Sequence, residues 1–91
     1  MPGKKWPSGW KVSGGHLVAG YRFQDFAEAM GFLNEVALRA EAAEHHPDFT
    51  VHWNEVRFEV WSHDVDGITG RDQRLVAQIA QVARRHKAKS L

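Results

Sequence analysis

Residues 49–61 read Phe49-Thr-Val-His-Trp53-Asn-Glu-Val56-Arg-Phe58-Glu-Val60-Trp61, and this stretch decides the fold. Phe49, Val51 and Trp53 alternate with Thr50, His52 and Asn54, and then Val56, Phe58 and Val60 alternate with Arg57, Glu59 and Trp61. A period of two puts every second side chain on one face of a strand, so the stretch reads as two strands meeting around Asn54-Glu55. Asn tolerates the left-handed backbone of a tight turn, which makes Asn54 the expected pivot of this hairpin.

A second hairpin lies upstream, where Ser13-Gly14-Gly15 separates Trp10-Lys11-Val12 from the stretch His16 to Arg22. Between the hairpins, Phe26, Ala29, Met30, Leu33, Val36, Ala37 and Ala40 recur at spacings of three and four, the period of a helix with one buried face. Asp25 is its expected N-cap, with Glu28 three residues on as in a capping box. Pro47 forbids continuation, so the helix should end near His45 and His46. Beyond the loop from His63 to Gly67, Thr69 and Asp72 have capping-box spacing, and Leu75, Val76, Ile79, Val82 and Ala83 form a last apolar stripe. The order is ββαββα, an α+β fold with a four-stranded antiparallel sheet and its helices packed on one face.

At 91 residues the chain has room for one domain, expected over residues 10–86. Met1 to Gly9, rich in Pro, Gly, Lys and Ser, reads as a flexible arm, and residues 87–91 as a frayed basic tail after a helix end that favours cations. Twelve Lys and Arg against eleven Asp and Glu leave no overall field to draw the molecule to nucleic acid or an anionic membrane. With no cysteine, disulfides, thiolate catalysis and Cys-rich zinc sites are excluded. Neither a membrane-spanning stretch nor a secretory signal is evident, and a cytoplasmic protein is expected.

Six histidines are many for this length. His45 and His46 fall at a helix end and His63 just past a strand end. Clustered imidazoles can hold a protonated member beside a neutral one, which suits proton transfer. Glu41, one turn before His45, is expected to orient and charge the cluster. Spacing alone leaves two other readings open. His45 and His46 can simply satisfy the last helix carbonyls, or Glu41 and His45 can share a metal. His16, His52 and His86 read as solvated or rim residues, and Trp10, Phe49, Trp53 and Trp61 as core, interface or the wall of a flat ligand's pocket.

The run Glu41-Ala-Ala-Glu-His45-His46-Pro47, followed by Trp53, Ser62-His63 and Gly67-Ile-Thr69-x-x-Asp72, resembles the signature of the pterin-4a-carbinolamine dehydratases. The likeness extends through Gly9-Trp10, Tyr21-x-Phe23-x-Asp25-Phe26, Gly31-Phe32 and Val36-Ala37-Leu38. It implies the dehydration of 4a-hydroxytetrahydropterin to quinonoid dihydropterin, in recycling the pterin used by aromatic amino acid hydroxylases. The pterin is then the substrate, and neither a metal nor a bound cofactor is needed. By the same resemblance His45 and His63 are the acid and base and His46 positions the pterin, while Glu41, Asp72, Ser62, Trp53 and Pro47 support the site or bind substrate. The family commonly carries a further helix before its Gly-Trp step, where this chain has only Met1 to Ser8. Some relatives act without catalysis, as a dimerisation cofactor of a homeodomain transcription factor or an assembly factor of a carbon-fixing enzyme, so a protein-binding module is the rival expectation. An open-edged sheet also suggests a homodimer or a tetramer of dimers.

Overall fold

The computed structural model describes residues 6–91. Strands β1 (Lys11–Ser13) and β2 (His16–Arg22) precede helix α1 (Phe26–Ala43), and β3 (Asp48–His52) and β4 (Glu55–Val60) precede helix α2 (Gly70–Arg85). The four strands form an antiparallel sheet in the order β1-β2-β4-β3, with Leu17 opposite Val60 and Phe49 opposite Phe58. Both hairpins form, the first of them as the sequence leads one to expect. In the first, Ser13 pairs with His16 across a two-residue turn, and Gly14 (φ 58°) and Gly15 (φ 80°) both take the left-handed backbone that this turn demands.

The core lies between one face of the sheet and the helices. Val56, Phe58 and Val60 are buried while Arg57 and Glu59 between them are exposed, so β4 gives its apolar face to the core. All five residues of the second helical stripe, Leu75, Val76, Ile79, Val82 and Ala83, are buried. In α1 the buried face is Ala29, Phe32, Leu33, Val36 and Ala40, so the expected stripe is turned toward Phe32. Phe32 is wholly buried with its ring 4.6 Å from Phe23, whereas Phe26, Met30 and Ala37 lie on an exposed flank. Trp10 donates from Nε1 to the Tyr21 hydroxyl at 2.7 Å, and burial, only partly opposed by this bond and by Arg84, pushes the Tyr21 phenol above its ordinary pKa.

The second hairpin turns on a different residue from the one expected. Trp53 (φ 55°), not Asn54, takes the left-handed conformation. Asn54 is buried, and its side-chain amide donates to the Phe23 carbonyl at 2.9 Å while its own carbonyl accepts from the Phe23 amide at 2.8 Å. The polar residue is thus used to tie the turn to the segment leading into α1.

Trp6 and the C-terminal tail are better anchored than their composition suggests. Met1 to Lys5 of the expected arm lie outside the described residues, but Trp6 is half-buried and packed on the core. At the other end, the expected frayed tail forms β5 (Lys89–Ser90), which pairs with Tyr21 and Arg22 of β2. Leu91 donates its amide to the Gly20 carbonyl at 3.0 Å and lies over Gly20, where a Cβ would come within 2.8 Å of Leu91 Cδ1. Edge pairing with β2 satisfies backbone groups that a free tail would leave to water, and this was invisible in a run of charges.

His86, expected in the solvated tail, is instead a clamp between the helices. Its Nδ1 lies 2.9 Å from Glu28 and its Nε2 3.2 Å from Glu35, and Glu35 is also bound by Arg85 at 2.6 Å and faced by Arg39 at 3.6 Å. The bond to Glu28 chiefly, and then that to Glu35, raise the His86 pKa against the opposing effect of burial. A group with a raised folded-state pKa contributes full stability below its unfolded value and loses it as pH rises through the folded value. Urea unfolding should therefore show stability falling more steeply above about pH 6.5 in the native chain than in His86→Gln. Parallel pH profiles for the two proteins would show that the clamp contributes nothing.

Candidate active site

The site grows from the start of α2. Thr69 caps the helix by accepting the Arg71 amide on its hydroxyl at 3.2 Å, and its own amide donates to Asp72 Oδ2 at 2.7 Å. These bonds fix the Asp72 carboxylate in the first helical turn, where the helix dipole favours negative charge. The Ser62 hydroxyl, at the end of β4 and wholly buried, donates to the same oxygen at 2.9 Å, and the Thr69 hydroxyl lies 2.9 Å from Ser62 Oγ. The other carboxylate oxygen receives His45 Nε2 at 2.6 Å. Burial alone would raise the Asp72 pKa, but the His45, Thr69 and Ser62 hydrogen bonds and the charge of His45 together outweigh it and leave it below the ordinary carboxylate value.

His45 reaches this carboxylate because α1 stops where it does. Glu44 takes a left-handed conformation (φ 53°), its amide bonding to the Ala40 and Glu41 carbonyls, and the His45 amide donates to Ala40 at 3.2 Å. Past this reversal the regular helical register no longer holds. His46, not His45, therefore meets Glu41, with Nε2 2.5 Å from its carboxylate, and this pair is open to solvent. The expectation that Glu41 serves His45 is corrected accordingly: the partner of His45 is Asp72. Glu41 and His45, whose spacing would let them share a metal, are bonded to different partners here. Pro47, half-buried, then leads into β3.

His63 sits at the mouth of a short loop. The Ser62 amide donates to the Gly67 carbonyl at 2.8 Å to close it, Asp66 supplies a left-handed residue (φ 52°), and Arg71 holds Asp64 at 2.7 Å. The Arg71 bond is the main cause of a lowered Asp64 pKa. The His63 ring lies flat on Trp61, with centroids 4.1 Å apart and planes 9° apart.

The result is a cleft of about 460 Å³ lined by His45, His46 and His63 together with Glu44, Asp48, Asp64 and Arg71. Two adjacent imidazoles at the end of α1 and a third from the loop after β4 thus face one space of small-molecule size. Asp72 and Ser62 stand behind it. Trp53 does not join them: it is 66% exposed at the tip of the second hairpin, and the five residues of β3 separate it from His46 and Pro47. Reasoning from sequence missed Arg71, Asp64, Glu44 and Asp48, and nothing in their spacing marks them out.

Chemically, the cleft offers several proton donors and acceptors beside one imidazole whose Nε2–H is held by a buried carboxylate, which leaves Nδ1 as the nitrogen able to exchange a proton. The family model described as Pterin 4 alpha carbinolamine dehydratase matches residues 3–82. A Thermomicrobium roseum protein named for pterin-4-alpha-carbinolamine dehydratase is 45% identical over 75 residues, covering 82% of this chain and 81% of its own. A protein of the same name from Trichormus variabilis is 39% identical over the same share of each chain. Among solved structures, a Brucella melitensis protein described as a transcriptional coactivator/pterin dehydratase matches with a TM-score of 0.80 and 31% identity, covering 84% of this chain and 83% of that one. The motif His45-His46-Pro47, His63 and Asp72, the ββαββα sheet that gathers it and these relatives agree: the chain belongs to the pterin-4a-carbinolamine dehydratase family.

Proposed function

We propose that the protein removes water from a 4a-hydroxytetrahydropterin to give quinonoid dihydropterin, by imidazole acid and base catalysis at the cleft of His45, His46 and His63. The observation that carries this reading is the convergence of the three rings on one cleft with His45 anchored on the buried Asp72. The reaction needs one proton delivered and one removed. A protonated imidazole gives its proton to the 4a-hydroxyl as the C4a–O bond breaks and water leaves. A neutral one takes the proton from N5, whose N–H electrons form the new C4a=N5 bond. Proton count and charge therefore balance over the turnover, and His45 and His63 are the residues assigned to it. His46, exposed and paired with Glu41, positions the pterin. Such an enzyme would work in the cytoplasm beside an aromatic amino acid hydroxylase that supplies its substrate.

A homo-oligomer fits the same reading. Among the described residues nothing pairs with the outer edge of β3, and Phe49 on it is half exposed. Two copies pairing antiparallel about Thr50 would set Asp48 against His52 of the partner subunit. Sedimentation equilibrium at micromolar concentration should find a dimer or a larger assembly, and a monomer would contradict this.

The direct test follows the ultraviolet absorbance of 4a-hydroxytetrahydropterin as it decays. The native protein should accelerate decay with or without chelator, and His45→Gln should lose about a hundredfold or more of that acceleration. Its amide can still reach Asp72, so stability should change by only about 1 kcal/mol. No acceleration by the native protein would favour a binding module, and equal loss of folding and activity would make His45 structural.

Asp72 yields a separate expectation. A lowered folded-state pKa means stability that is present above the ordinary carboxylate value and lost as pH falls through the folded value. Acid unfolding below about pH 4 should be steeper in the native chain than in Asp72→Asn. Equal acid profiles would show that the ion pair adds nothing to the fold.

A further inference from the structure

Trp61 carries an imidazole on each side. Its ring lies 3.8 Å from His16 and 4.1 Å from His63, with the planes 9° apart in both cases. Two imidazoles centred so close to one ring plane would collide if they shared a face, so they sit on opposite faces of the indole. The stack follows from the sheet. Leu17 pairs with Val60, which brings His16 beside Trp61 across the β2 and β4 pair, and His16 Nδ1 is bound by the Glu59 carboxylate two residues before Trp61. His16 is only 22% exposed in its side chain, although it read as a rim residue from sequence.

We propose that Trp61, backed by His16 and Glu59, is a positioning residue for His63, holding its ring in the plane needed for proton exchange at the cleft. The inference rests on the reading of His63 as an acid or base. His63 lies on an exposed loop, and among the described residues its ring has no hydrogen-bond partner. Unsupported, it would sample several rotamers, and only some of them would point at a bound pterin. Flat contact with an indole restricts that choice, and the indole face also favours a ring that carries positive charge during turnover. Because both faces of Trp61 are covered, it is not itself a platform for the pterin. The contact that fixes Trp61 is the His16 ring, which is fixed in turn by Glu59, so the support for a cleft residue reaches across to β2.

The test joins nuclear magnetic resonance to kinetics. In the native chain the His63 ring protons should resonate upfield, shifted by the indole ring current, and move back toward free-histidine positions in Trp61→Leu. The kcat of Trp61→Leu should fall roughly three- to tenfold, the worth of one stacked aromatic pair, with KM little changed. Trp61→Phe should restore most of the loss, as a bulk-filling role would not require. His16→Gln, which removes one face only, should shift the His63 resonances slightly and lower kcat in the same direction, and it carries the test if Trp61→Leu does not fold. Unshifted His63 resonances in the native chain, or displaced resonances with kcat unaltered, would overturn the proposal. A native chain with no dehydratase activity would overturn the functional reading itself, and the native control tells that failure apart from a failure of the stack.

Discussion

The buried carboxylate of Asp72 is the joint on which the molecule depends. One oxygen holds the end of α1 through His45, and the other holds the end of β4 through Ser62 and the start of α2 through Thr69. Three segments are thus joined by one group. A carboxylate wholly removed from water is costly unless every acceptor site is used, and here the cost is offset by two neutral donors and an imidazole. The bond that ties the end of α1 to this carboxylate is also the bond that sets the ring of His45.

The same economy of polar groups recurs in the smaller joints. Asn54 binds both backbone groups of Phe23, and His86 bridges Glu28 and Glu35 across the helices. No buried side-chain polar atom among the described residues lacks a partner. A domain this small has little apolar core to spare, so directional bonds between elements must do part of the work of orientation. The histidines divide accordingly. His45 is half-buried and oriented, His46 and His63 are open to the cleft, and His16 and His86 support their neighbours.

Much of this was legible in the sequence, for identifiable reasons. The alternation from Phe49 to Val60 and the Gly14-Gly15 turn specify strands and register through local rules, and the stripe from Leu75 to Ala83 does the same for α2. His45, His46, His63 and Asp72 were also identifiable, the histidines by their places at element ends and the whole set by the family pattern. What escaped was pairing through space. Asp72 had a sufficient local explanation as a cap, and nothing in the spacing showed that its second oxygen would find His45, 27 residues away. Trp53 and Asn54 exchanged expected roles because the tertiary bond to Phe23 outweighed the local preference of Asn for a left-handed turn. The stack of Trp61 needed the register of β2 on β4, and the anchoring of Lys89 and Ser90 needed a free edge on β2, neither of which periodicity reports.

Asp72 holds His45 in one tautomer, with the proton on Nε2 and Nδ1 left to exchange. The most direct measurement is the nitrogen-15 chemical shift of the two His45 ring nitrogens in the neutral imidazole, with Asp72→Asn as the comparison. The native chain should show a protonated Nε2 and a bare Nδ1, and the variant should lose that preference. A bare Nε2 in the native chain, or the same mixture of tautomers in both proteins, would contradict it.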